Sequence, residues 1–213
     1  LDLSRALMAS DDLDALFGLA RAAALDAHRD AMMAGARVNS TEGRPALHTA
    51  LRRDTARPLR VDGVDLMQQV HQTLARMRDF STRVREGDWR GARGRVITDI
   101  VSIGIGGSQL GPLLACDALR AFAHPRLRVH FLSNIDPGCW DAIRPQLHPD
   151  TTLVVVASKS WRTVETARNA DAVRRWLRAA GIDDAGLARH LIGVTANESG
   201  ARAFGLSDEG IFP

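Results

Sequence analysis

Apolar positions fall into two regimes along the chain. From Asp12 to Met33 they recur at helical spacing (Leu13, Leu16, Phe17, Leu19, Ala20, Ala23, Ala24), and Gly35 supplies a stop, which predicts one amphipathic helix. A polar loop, Asn39 to Pro45, leads into a short helical pattern around Leu47, His48 and Leu51. A second long helix is predicted from Val64 to Val84, with Val70, Leu74, Met77 and Phe80 on its inner face. No internal repeat or low-complexity tract interrupts this half.

Beyond the charged, glycine-containing stretch from Glu86 to Arg95 the rhythm changes to short β-branched runs separated by helices. Strands are predicted at Ile97–Ile103, Leu127–Leu132, Leu153–Ala157 and Leu191–Thr195, with helices at Leu110–Phe122, Gly138–Leu147 and Thr163–Ala180. Repeated strand–helix–strand order with right-handed crossovers gives a doubly wound α/β fold: a parallel sheet flanked by helices, preceded by a helical N-terminal region. The division expected is a helical region over 1–95 and a sheet domain over 96–213.

Composition fits this picture and narrows it. The 213 residues are 45% hydrophobic and 25% charged, globular values that exclude disorder and a disulfide-stapled miniprotein. Cys116 and Cys139 cannot build a disulfide framework and fit a reducing cytoplasm. The longest apolar run, Leu153 to Ala157, falls far short of the roughly 20 residues that span a bilayer, so no membrane partner is expected. The chain opens on Leu1 rather than Met and closes on Ile211, Phe212 and Pro213, which leads us to expect a fragment.

Net charge is only +3, from 28 basic and 25 acidic residues. Arg83, Arg85, Arg90, Arg93 and Arg95 form a local basic segment without aromatic platforms or a reading helix, so it is read as a solvated linker and not as a nucleic-acid site. Of the 28 basic residues, 27 are arginine, and Lys159 is the single lysine. Genome composition explains the arginines; chance is the competing reading of the one exception, and the functional reading is a task arginine cannot meet, such as a compact point charge on a phosphate.

In a doubly wound sheet, ligands bind beyond the carboxyl ends of the strands. Each predicted strand there ends in small polar residues: Gly104-Ile105-Gly106-Gly107-Ser108-Gln109, Ser133-Asn134-Ile135-Asp136, Ser158-Lys159-Ser160-Trp161-Arg162-Thr163 and Ala196-Asn197-Glu198-Ser199. The four loops are expected to meet along one edge. The glycines of the first expose N–H groups where a helix begins, an arrangement that receives an anion. The loop is not a P-loop, because no Gly-Lys-Ser/Thr follows at the required spacing. Nor is it a dinucleotide fingerprint, since Gln109 replaces the third glycine and the second strand lacks a terminal acid. The third loop gathers three hydroxyls and two cations at a helix start, suited to a phosphate monoester. The competing structural reading is a plain cap by Ser160 or Thr163, with Glu165 reaching back as in a capping box.

Seven scattered histidines show no metal-ligand spacing. His48, four residues after Arg44, is expected to hold the Asn39–Thr41 loop through hydrogen bonds, and Trp161 and Trp176 are expected in the core. No Ser/His/Asp nucleophile constellation can be assigned.

Read together, these segments resemble the glucose-6-phosphate isomerase family and its sugar-isomerase (SIS) fold. The stretch Val38 to Arg52 is similar to the family's N-x-T-E-x-R-x-x-L-H-x-A-L-R segment, and Ile103 to Ser108 with Leu110-Gly111-Pro112 to its I-G-I-G-G-S-x-L-G-P loop. Ser133-Asn134-Ile135-Asp136 and Ala157-Ser158-Lys159 with Thr163, Glu165 and Thr166 supply two more ordered matches. The resemblance implies that Ser158, Lys159, Ser160 and Thr163 hold a substrate phosphate, with Gly107 and Ser108 near the sugar and Glu165 lining the same pocket. Ser160 stands where threonine is more usual, and Arg162 adds a second cation that would tighten anion binding.

By the same resemblance the chemistry is aldose–ketose isomerisation of a small-molecule sugar phosphate through an enediolate, with no metal or organic cofactor and a homodimer as the full-length state. The family's base, its V-G-G-R arginine and its later histidine and lysine would follow Pro213, so no catalytic residue is assigned and this chain alone is expected to be inactive. The second reading, a non-catalytic phosphosugar-binding regulatory module on the same sheet, has no need of the Asn39–Arg52 segment.

Overall fold

The computed structural model describes residues 3–53 and 57–213. The chain forms two compact units that divide between Leu74 and Ala75. In the first, α1 (Ser10–Ala22) and α2 (Leu25–Met33) replace the single predicted helix. The break falls at Ala24, whose φ of 50° is left-handed and cannot continue a helix. Neither helix buries a residue, and Leu16, Phe17 and Leu19 stay exposed, so no packed apolar stripe holds the two segments in line.

The Asn39–Arg44 loop closes on itself through a two-way backbone bridge. Asn39 Oδ1 accepts from Thr41 Oγ1 at 2.8 Å, and Arg37 donates to Gly43 O at 3.1 Å. His48 is exposed, opens a 3₁₀ turn over His48–Arg52, and makes none of the loop-holding bonds expected of it among the described residues. Arg44 precedes that turn, so the two do not share a helix face.

A hairpin not anticipated from periodicity follows: β1 (Arg60–Val61) pairs antiparallel with β2 (Val64–Asp65) around Asp62-Gly63. Both turn residues have positive φ, which Asp-Gly supplies readily. The helix predicted from Val64 therefore begins two residues later, as α3 (Leu66–Glu86). Met67 and Val84 are buried near its two ends, whereas Leu74 and Met77, expected on its inner face, are exposed. Met67 packs with Ala50 and Leu59 in the core of the first unit; Val84 belongs to the second.

The second unit is built on a five-stranded parallel sheet. Its strands are β3 (Asp99–Ile103), β4 (Arg128–Leu132), β5 (Thr152–Ala157), β6 (Leu191–Val194) and β7 (Ile211–Phe212), in the order β4-β3-β5-β6-β7. Four match the predicted strands, and β7 is additional. The helices between them are α4 (Gly107–Ala118), α5 (Pro137–Ile143), α6 (Val164–Ala179), α7 (Asp184–Leu187) and α8 (Glu198–Phe204).

Alternate residues of β5 serve opposite faces, as the period of two requires. Val154 and Val156 join Val101 and Ile103 against Ala170, Val173 and Leu177 of α6 and Ala201 of α8. Leu153 joins Ile97, Ile192 and Phe212 against Val84 of α3 and the fully buried Trp89. Full burial of each such side chain stabilises by about 1.5–3 kcal/mol, so β5 and its neighbours carry most of the unit's cohesion. Helices on both faces complete the doubly wound arrangement. Among the described residues no helix is long and apolar enough to cross a membrane.

The Arg-rich stretch is framework and not a solvated linker. Trp89 Nε1 donates to Arg189 O at 3.0 Å, and the Arg189 guanidinium lies 3.9 Å from the Trp89 ring centroid. Arg93 Nη1 meets Asp150 Oδ1 at 2.6 Å while its Nη2 donates to Ala180 O.

Three buried titratable groups, Asp99, Asp150 and His190, sit at or just before the amino ends of the strands. Asp99 accepts from Arg128, His130 and Thr98. Burial pushes its carboxyl up, but those donors outweigh it and hold the group below its ordinary value. His190 is fully buried: its Nδ1–H donates to Thr152 O at 2.7 Å and its Nε2 accepts from Ala92 N–H at 2.9 Å. A carbonyl on one side and an N–H on the other fix the neutral tautomer. Burial is the largest reason its pKa lies below the ordinary 6.5.

Unfolded, His190 takes a proton near its ordinary value; folded, it resists until the pH is lower. Stability from this residue is therefore present above about pH 6.5 and lost as pH falls toward the depressed value. Asp99 acts only further down, below the ordinary 3.8 of its carboxyl. Urea denaturation at neutral and mildly acidic pH should show the loss, and His190→Gln should flatten it. An unchanged slope in that variant would mean another group titrates.

Candidate active site

Strand register decides where the loops begin. Ile103 pairs with both Leu132 and Val156, and Ala157 pairs with Val194, so β3, β4, β5 and β6 end within about a residue of one another. The four polar segments accordingly leave from one edge of the sheet.

In the first, Gly104 has no room for a side chain: a Cβ would fall 2.9 Å from Ser108 Cβ. Gly106 takes φ 57° and ψ −126°, a conformation that L side chains rarely adopt, and its carbonyl accepts from Leu110 N–H and Gln109 N–H as α4 starts. Gly107 differs. It is exposed, its φ is not positive, and an added Cβ would meet nothing within 4 Å. Neither backbone strain nor a neighbour among the described residues accounts for a glycine there. Ser108, one residue on, is half-buried.

The second segment spends its polar groups on itself. Asp136 Oδ1 caps α5 through Gly138 N–H at 2.8 Å, and Asn134 Oδ1 accepts from Asp136 N–H at 3.0 Å. Asn169, buried in α6, donates to Asn134 O at 3.0 Å and ties this loop to the next.

The third segment is the chemically richest. Ser158 is buried, and its Oγ donates to Thr163 Oγ1 at 3.4 Å, a long contact. Lys159 and Ser160 are exposed, and Ser160 Oγ accepts from Arg162 N–H at 3.3 Å. Trp161 has φ 57° and packs edge-on against Phe204, with Gly193 leaving space beneath its ring. Trp161 and Trp176 are partly buried against the core, in keeping with the expectation for both. Thr163 occupies the N-cap position of α6, yet neither its hydroxyl nor Glu165 makes a capping bond among the described residues. The capping-box reading therefore fails, and the first turn of a 16-residue helix lacks a side-chain cap beside Ser158, Thr163 and Lys159.

The fourth segment supports the third. Lys159 O accepts from both Ala196 N–H at 3.1 Å and Thr195 Oγ1 at 3.2 Å, and Asn197 Nδ2 donates to Ser160 O at 2.9 Å. Asn197 Oδ1 also caps α8 through Gly200 N–H. Asn169, Thr195 and Asn197 are the framework residues that sequence reasoning missed. Asn197 sat in a quoted loop, and its place before Glu198 carried an N-cap signal; Asn169 was visible only as a poor helix former on the apolar stripe of α6.

These geometries coincide with a family match. The phosphoglucose isomerase model fits residues 2–213. The chain belongs to the phosphoglucose isomerase family. Curated relatives include a glucose-6-phosphate isomerase from Pseudomonas fluorescens, 46% identical over 213 residues, and glucose-6-phosphate isomerase 2 from Chromobacterium violaceum, 48% identical over 213 residues. Each alignment covers all of this chain but 38% of the relative, so the chain spans well under half of their length. A crystal structure of a glucose-6-phosphate isomerase from Chlamydia trachomatis superposes with a TM-score of 0.71 at 31% identity, covering 88% of this chain and 35% of that one. Among the described residues, no three His, Cys, Asp or Glu side chains cluster as metal ligands, and Cys116 and Cys139 are exposed free thiols.

The two glycines of the first loop provide a test of this geometry. Gly104→Ala should destabilise by about 1–3 kcal/mol, the cost of overpacking against α4. Gly107→Ala, at a helix start with open space, should be neutral within about 0.5 kcal/mol or slightly stabilising. Chemical denaturation of both variants checks the contrast; equal losses would contradict it.

Proposed function

We propose that the chain is part of a longer glucose-6-phosphate isomerase and carries the phosphate-binding half of its site. The carrying observation is the third loop: a helix start without a side-chain cap, flanked by three hydroxyls and the single lysine, on a backbone held by Thr195, Ala196 and Asn197. A phosphate monoester would accept from Ser158, Ser160 and Thr163 and from the first N–H groups of α6. Lys159 would supply a compact point charge and the helix end a partial positive one.

The sugar would lie toward Gly107 and Ser108, where the glycine leaves space that none of the described residues occupies. Glu165, half-buried in the first turn of α6, lines the same region. Isomerisation moves a proton between adjacent carbons through an enediolate, which needs a positioned base and groups that steady the oxyanion. Those groups are proposed to lie in the remainder of the parent polypeptide, acting on a substrate whose phosphate this part anchors. The helical region over 1–95, the phosphosugar domain over 96–213, a homodimeric full-length state and a cytoplasmic location belong to the same reading. A regulatory sensor on this sheet has less in its favour, because the family match includes the Asn39–Arg52 segment.

In the parent enzyme, Lys159→Ala should weaken substrate binding by about 1.5–3 kcal/mol, the range for hydrogen bonds to charged groups, or roughly one to two orders of magnitude. Lys159→Arg should also weaken it, since a planar fork does not reproduce a compact ammonium. If KM for fructose 6-phosphate and turnover stay at wild-type levels in both, the loop is not the phosphate site.

The purified 213-residue chain should show no conversion of glucose 6-phosphate in a coupled assay. Positioned acid–base catalysis is worth about 10²–10⁴-fold, and this reading places it elsewhere. Measurable turnover by the chain would place the base within it.

A further inference from the structure

Beneath the third loop lies a small cavity of about 30 Å³, lined by Ser158, Trp161, Thr163, Thr166, Ala170 and Phe204 among others. Its lining is largely apolar, with hydroxyls from Ser158, Thr163 and Thr166 and the indole of Trp161. Thr166, in the first turn of α6, is 4% exposed, and its Oγ1 is buried without a hydrogen-bonding partner among the described residues. The volume suits one or two waters, each of which takes at least about 10–15 Å³.

Proton counting shows what such a water would do. A hydroxyl has one hydrogen and two lone pairs, and a phosphate anion only accepts. For Ser158 and Thr163 both to donate to an anion, Ser158 must give up its 3.4 Å contact to Thr163, and both oxygens must turn lone pairs inward. A water between them can donate one hydrogen to each. That water then needs a donor of its own, and the Thr166 hydroxyl, buried with no partner among the described residues, has a hydrogen to give it. The count closes with every hydroxyl satisfied.

We propose that Thr166 is a positioning residue of the anion site, acting through a buried water that orients the Ser158 and Thr163 hydroxyls toward the ligand. The inference rests on the phosphate reading given above. It makes Thr166, which does not reach the ligand, a determinant of phosphate affinity.

The test uses the full-length enzyme, with inorganic phosphate as a competitive probe and fructose 6-phosphate as substrate. Thr166→Val, nearly isosteric but without the hydroxyl, should raise both the phosphate inhibition constant and KM about tenfold, equivalent to about 1.4 kcal/mol. Turnover should change far less, and Thr166→Ser should restore both constants. A high-resolution crystal structure of the wild type should show a water touching Thr166 Oγ1, Ser158 Oγ and Thr163 Oγ1. If Thr166→Val does not fold, Thr166→Ala serves the same comparison.

Wild-type phosphate binding by the valine or alanine variant, a serine variant as weak as either, or no water at that position would each overturn the proposal. Ser158→Ala separates the two levels. If it weakens phosphate inhibition while Thr166→Val does not, only the water-mediated role fails; if it leaves inhibition unchanged, the phosphate site itself is misplaced.

Discussion

The structure of the second unit depends on one constraint: β5 is paired in parallel on both edges and buried on both faces. A strand in that position cannot slip by one residue without exchanging Val154 and Val156 for Leu153 and Val155 between two differently shaped cores. Its register with β3 and β6 therefore fixes the height at which Ser158 leaves the sheet, and with it the start of α6. The site inherits its precision from that strand. Loops alone would not hold hydroxyls to within a few tenths of an ångström, whereas loops anchored to a doubly paired strand can.

What keeps the loop in place beyond the strand end is main-chain hydrogen bonding. The carbonyls of Lys159 and Ser160 are taken by Thr195, Ala196 and Asn197, which leaves the side chains of Lys159 and Ser160 exposed at the edge. In the proposed site the fourth loop would contribute geometry and the third chemistry. This division also explains why polar groups at the two ends of the sheet look so different. At the amino ends, Asp99 and His190 have their hydrogen-bonding groups engaged by named neighbours. At the carboxyl ends, among the described residues, Thr166 Oγ1 has no hydrogen-bonding partner and the start of α6 has no side-chain cap.

The sheet was legible in the sequence because buried parallel strands are short, β-branched and bounded by loops, and the four predicted strands agree with β3 to β6 within about two residues. β7 was not, since two residues carry no periodicity and Ile211-Phe212 is recognised only by pairing with Gly193 and Val194. In the first unit the pattern misled: an apolar stripe at helical spacing marks a helix face but says nothing of what covers it, so Leu74 and Met77 were placed inside and lie outside. The break at Ala24 has no local marker, because alanine is the residue least expected to leave a helix. The site loops were legible as chemistry and through family resemblance. Their supports were not, because a donor such as Asn169 acquires its role from a carbonyl 35 residues away.

Several arginines have framework tasks in the same architecture. Arg126 donates to the carbonyls of Ile97, Val84 and Arg85, joining the end of α3 to the lead-in of β3, and Arg76 spans the carbonyls of Asp208 and Ile211. A guanidinium serves such positions because its donors diverge in a fixed plane and can bridge separate acceptors, which three donors on one ammonium nitrogen cannot do at that span. These bonds to main-chain oxygens hold elements together irrespective of salt-bridge energetics, which for exposed pairs contribute only about 0–1 kcal/mol. A site that must grip a compact, freely oriented anion and then release it has the opposite requirement. There a fork of fixed geometry competes with the hydroxyls and helix N–H groups for the same oxygens, whereas a single charge on a flexible stem adds attraction without dictating orientation. One lysine at the end of β5, in a protein that otherwise builds with arginine, is what that difference in task would select.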